Sequence, residues 1–169
     1  MGHKKTKKMV YLALLSAIAI VLHMIEGSIP LPLPPGVKLG LANIISMVVI
    51  EMYGAKEMFI VNFFRVMIGS LLSGTFLWNP FYMSCGGVLL SSIVLALIKR
   101  WTTLPIVSCS IIAAVFHNIG QIIVISLIIS SMAVAPYIFV MLASSIPTGI
   151  FVGFVAIEIL KRLKKEQFQ

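Results

Sequence analysis

The stretch IPLPLPPGVKLGLANI, residues 29–44, decides how the rest of the chain is read. Four prolines and a glycine fall within residues 29–36. Proline fixes φ, removes a backbone donor and pushes the preceding residue out of the helical region, so this segment is an extended, stiff connector. Apolar runs flank it, residues 9–25 on one side and 38–53 on the other. The connector therefore joins two helices, with Lys38 at the entrance of the second and Asn43 five residues deeper.

Working outward, the whole chain has the same character. Apolar residues make up 60% of its 169 positions and charged residues 11%, against about half and a quarter in a soluble domain. Breakers divide it into six apolar runs: 9–25, 38–53, 56–76, 81–98, 104–130 and 136–160. In a bilayer these must be helices, because lipid cannot satisfy exposed backbone groups. The expected fold is an all-α integral membrane protein with six transmembrane helices, a single domain over residues 1–169 in the cell membrane.

The net charge of +8 raises the question of nucleic acid, and the placement of the cations answers it. Lys4, Lys5, Lys7 and Lys8 precede the first run, and Lys161, Arg162, Lys164 and Lys165 follow the last. Basic ends 1–8 and 161–169 predict cytoplasmic termini. The connections at 53–57 (YGAKE) and 99–101 (KRW) carry cations, while those at 76–81 and 130–136 carry none, which fits alternation across a membrane. No basic face with interleaved aromatics is present to bind nucleic acid. The basic start also resembles a signal peptide; retention is expected, because an even number of spans keeps both ends inside.

Two cations have no part in that pattern. Lys38 stands at the outer rim of the second run, where it can reach the headgroups. Arg65 lies about nine residues into the third, near mid-membrane, where a charge costs at least about 2.5 kcal/mol unless paired or wet. Arg65 is therefore expected to face the interior. Asn62 precedes it by three residues, and Gly69 and Ser73 continue its face. In VFHNIGQII, His117 and Gln121 lie one turn apart with Asn118 beside them. The first helix adds His23 and Glu26 at its outer end. Convergence of Glu26, Lys38, Asn43, Asn62, Arg65, His117, Asn118 and Gln121 on an outward-opening polar pocket is the expected site, and its two cations predict an anionic or strongly polar small-molecule substrate.

Glu51, Glu57 and Glu158 sit near cytoplasmic ends beside cations and read as surface ion pairs. Small residues four apart, Ala13 and Ala17, Gly69 and Ser73, Gly149 and Gly153, suit close helix contact. Cys85 and Cys109 lie in apolar runs and read as small buried hydrophobes, not a metal site or disulfide. The chain has no aspartate, no GxxxxGK[ST] loop and no HExxH. It is expected to be no enzyme, with no catalytic residue, no metal and no cofactor of its own.

PPGVKLGLAN (34–43), RVMIGSLLSG (65–74), SCGGVLLS (84–91) and FHNIGQ (116–121) together resemble the Gx transporter family, also labelled heptaprenyl diphosphate synthase component I. That family in turn resembles the substrate-binding S components of energy-coupling factor transporters. The resemblance implies a six-helix S-component-like bundle, a lid at residues 26–36, and a contact through Ala13 and Ala17 with a transmembrane coupling subunit that carries a pair of ATPases. The label implies an alternative, a non-catalytic membrane partner of a prenyl diphosphate synthase, since prenyl transfer needs metal-bound diphosphate and no aspartate is available to hold the metal.

Overall fold

A computed structural model of the chain describes residues 2–28, 40–129 and 135–167, with side chains described over 5–28, 40–129 and 138–163. Six helices follow in order: α1 Gly2–Ser28, α2 Leu41–Tyr53, α3 Ala55–Leu72, α4 Asn79–Trp101, α5 Ile106–Ile129 and α6 Ala135–Gln167. The described residues contain no strand. Four helices are long and apolar enough to cross a membrane, over Lys5–Ser28, Asn79–Trp101, Ile106–Ile129 and Ile138–Leu163.

The other two helices differ from that pattern for separate reasons. The 13 residues of α2 span only about 20 Å, short of a hydrocarbon core of roughly 30 Å. It begins at Leu41 and not at residue 38, because Gly40 adopts a left-handed φ of 76° just before it. The helix is mostly apolar and buried over most of its length, as expected of a central core element. Leu15 and Ala19 of α1, Val61 of α3, Leu95 of α4, Cys109 of α5 and Val152 and Ala156 of α6 pack into the cluster that surrounds it. In α3, Lys56, Glu57 and Arg65 share 18 residues, which lowers its apolar character.

Gly54 alone separates α2 from α3. Its φ of 99° makes the bend, its N–H closes α2 on the Ile50 carbonyl at 3.1 Å, and its carbonyl accepts the Met58 N–H at 3.2 Å. At its far end α3 stops at Leu72, four residues before the expected 76. Gly74 at φ 66° closes it: Thr75 donates to the Ser70 carbonyl at 2.9 Å and Gly74 to that of Leu71 at 3.2 Å, the paired bonds of a Schellman turn.

The tightest helix contacts run along α4–α5 and α5–α6. A Cβ on Gly120 would lie 2.4 Å from the Gly86 carbonyl oxygen, so α4 and α5 meet backbone to backbone at the GG pair. Gly149 and Gly153 similarly seat the backbone of α5 at Ile111 and Val107. Outside, large apolar side chains such as Leu127, Phe139 and Phe154 are exposed. Inside are Asn62, Arg65, His117, Asn118 and Gln121. This polarity is reversed relative to a water-soluble protein.

At the end of the bundle where α1 starts and α4 finishes, Glu57 pairs with Lys8 at 2.5 Å and Glu51 with Lys99. Both pairs join different helices and are half-buried, so they are interhelical ties and not the solvated surface pairs expected from sequence neighbours. Glu158 does pair within its own helix, with Arg162 at 3.2 Å and Lys161 at 3.9 Å.

Candidate functional site

Arg65 lies ten residues into α3 and is 2% exposed. One guanidinium nitrogen donates to Asn43 Oδ1 of α2 at 3.1 Å. Its Nε has no hydrogen-bond partner, and none of the described ion pairs includes it. One turn further, Gly69 leaves room for the ring of His23 from α1, whose Cδ2 would lie 2.7 Å from a Cβ there. The expected inward orientation is what the structure has.

Glu26 reaches from the end of α1 to the start of α2. Its Oε1 accepts the backbone N–H of Gly40 and, at 3.3 Å, that of Leu41. An α-helix starts with unsatisfied N–H groups and a partial positive charge, and a carboxylate answers both. Glu26 also interacts electrostatically with Arg65. It thus fixes where α2 begins while lining the same space as the guanidinium.

That space is a cavity lined by Glu26, Asn43, Arg65, His117 and Asn118 together with His23, Gly40, Ser84 and Thr148. Five of the eight residues expected at the site meet here. Its free volume is ≈ 20 Å³, room for about one water molecule. Asn118 spends its amide N–H groups on α6, donating to the Met141 carbonyl at 2.7 Å and Ser145 Oγ at 2.8 Å.

Asn62 lies in an adjoining cavity, also of ≈ 20 Å³, bordered by Ser46, Ser91, Ser92 and Ser110. Its Oδ1 accepts from Ser46 Oγ at 2.6 Å and its Nδ2 donates to Ser92 Oγ at 2.8 Å, which joins α2, α3 and α4. Gln121 is not in the lining of either cavity. It is 1% exposed, packed where a Cβ on Gly87 would be, and neither amide atom has a hydrogen-bond partner. It does share a face with His117, since both side chains meet α4 at Gly87, but only His117 reaches the cavity. Lys38, together with most of the expected lid, lies outside the described residues.

Sequence reasoning left out Ser46, Ser84, Ser92 and Thr148. Isolated hydroxyl residues in apolar helices give no signal of their own, because each can bond back to its own helix, as Thr148 does to Ser144 at 2.8 Å. Among the described residues no three His, Cys, Asp or Glu side chains gather at metal-binding distance.

The fold and site define an all-helical protein of membrane type with a polar, cation-bearing interior. The chain belongs to the heptaprenyl diphosphate synthase component I family, whose model matches residues 15–159, from α1 to α6. No curated protein and no solved structure matches it.

Proposed function

We propose that this chain is a non-enzymatic protein of the cell membrane, six helices with both ends cytoplasmic, that captures a small anionic molecule from the outer side at the Arg65 cavity. It passes that molecule on as the substrate-binding subunit of an energy-coupling factor type importer. The observation that carries the reading is Arg65: a buried cation costs several kcal/mol, and this one keeps an unused donor beside a cavity instead of being neutralised by a direct ion pair. Lys38 at the rim and residues 26–36 as a cover belong to the proposal, and capture requires the cavity to widen from its ≈ 20 Å³. The exposure of Ala13 and Ala17 on α1 supports a coupling-subunit contact, since the fold leaves that face unused.

Native mass spectrometry of gently purified protein tests the reading. A retained anionic molecule that is lost from Arg65→Ala supports it; its persistence in a folded Arg65→Ala protein would overturn it.

The family description favours a second reading, a non-catalytic membrane partner of a prenyl diphosphate synthase. Co-purification with such a soluble enzyme, and an increase in its turnover on adding this protein, would establish that role in place of import.

A further inference from the structure

A larger void than the Arg65 cavity opens on the bundle surface. Between α3 and α4 a lateral groove of ≈ 410 Å³ is lined by Phe63, Val66, Met67, Cys85, Val88 and Leu89, with Phe59 at one end. Its polar lining is confined to Asn62 and Ser92, which are hydrogen-bonded to each other. Phe63 and Leu89 are exposed, so the groove opens on the apolar outer face.

Three relationships tie this groove to the cation. Val88 borders both the groove and the Arg65 cavity, and Asn62 and Ser92 border both the groove and the second cavity. Val66, which lines the groove, follows Arg65 on α3, their backbone positions about 1.5 Å apart along the axis. The volumes are also unequal: about one water molecule fits beside Arg65, whereas ≈ 410 Å³ falls in the range of small-molecule sites. A wholly polar solute gains nothing from the groove walls, and a chain of CH₂ and CH₃ groups does.

We infer that the groove between α3 and α4 takes the hydrocarbon tail of the captured molecule while Arg65 takes its anionic head, so the cargo class is a single-chain anionic amphiphile. This rests on the capture reading of the Arg65 cavity. Val88 is the sill over which the tail passes. The face of α3 that carries Arg65 selects for charge, and the neighbouring face carrying Val66 and Phe63 selects for length.

Equilibrium dialysis of the protein in phosphatidylcholine nanodiscs, with labelled farnesyl diphosphate, inorganic diphosphate and farnesol as probes, tests the inference. Farnesyl diphosphate is expected to bind at least about tenfold more tightly than inorganic diphosphate, since each buried CH₂ contributes. Leu89→Trp and Cys85→Phe fill the groove from α4, and Leu89 faces lipid, so the larger ring is tolerated there. Each is expected to bring the two diphosphates within about twofold of each other while inorganic diphosphate binds as before. Equal affinity of the wild type for both diphosphates, still dependent on Arg65, overturns the tail site and leaves capture standing. Farnesol binding as well as farnesyl diphosphate, or farnesyl diphosphate displaced when phosphatidylglycerol is added to the nanodisc, also overturns it, as simple partition or ordinary bilayer lipid. Failure of both diphosphates to bind overturns the inference and the capture reading together.

Discussion

Arg65 on α3 and Asn43 on α2 are joined by a 3.1 Å hydrogen bond at the wall of the internal cavity. Asn43 is itself held from below, its N–H bonded to the Gly40 carbonyl at 2.9 Å. The guanidinium is thus hydrogen-bonded by a neutral acceptor, while the Glu26 carboxylate on the same cavity acts on it electrostatically without a direct ion pair.

Replacing Arg65 with Met separates binding from stability. A lone buried cation costs several kcal/mol to desolvate, a cost that an apolar side chain of similar length does not incur. Arg65→Met is expected to keep or raise the thermal midpoint in detergent while anion binding disappears. A midpoint that falls steeply would identify Arg65 as a structural tie.

Glu26 makes a different prediction. Loss of a helix cap costs about 0.5–2 kcal/mol, so Glu26→Ala should destabilise the protein by that order. Glu26→Gln retains an oxygen for the Gly40 and Leu41 N–H groups and is expected to lose less. Equal losses in both, followed by chemical unfolding, would show that charge and not capping matters here.

The α4–α5 crossing has the least slack. Gly120→Ala places a methyl 2.4 Å from the Gly86 carbonyl oxygen and is expected to cost about 1–3 kcal/mol. Gly27→Ala meets nothing within 4 Å and serves as the control. Comparable midpoints for the two variants would mean that the helices separate more easily than their packing implies.

Coupling between Asn62 and Ser92 can be measured by a double-mutant cycle with Asn62→Leu and Ser92→Ala. Hydrogen bonds between helices in a membrane average about 0.6 kcal/mol, and a coupling of that order is expected. A value near zero would place the stabilisation in packing alone.

Ala13→Leu and Ala17→Leu enlarge an exposed stripe of α1 and are expected to leave folding and ligand affinity unchanged. Under the importer reading, pull-down of a coupling subunit should drop by about tenfold or more, as for bulky groups placed in a small-residue contact. Undiminished recovery of the partner would remove these two residues from that contact.

Six helices, the inward turn of Arg65 and the meeting of Asn43, His117 and Asn118 were legible because each follows from a cost that lipid imposes on charge or backbone. The start of α2 was not, since Glu26 sets it from 14 residues away through side-chain to backbone bonds. Helical phase rightly put Gln121 beside His117, both against Gly87 of α4, but it could not show that only His117 would border the cavity. Local charge neighbours suggested Lys56 for Glu57, whereas the fold brings Lys8 from a helix 49 positions earlier.

The lone glycine between the central helix and the helix bearing Arg65 is the single residue through which any change in their relative tilt would have to pass. Gly54 lies at the opposite end of α2 from Gly40 and Asn43, a lever arm of about 20 Å, so a 5° tilt at that pivot carries the cavity edge about 2 Å. A change in one pair of torsions at the remote end of the bundle would therefore be magnified at the guanidinium's cavity.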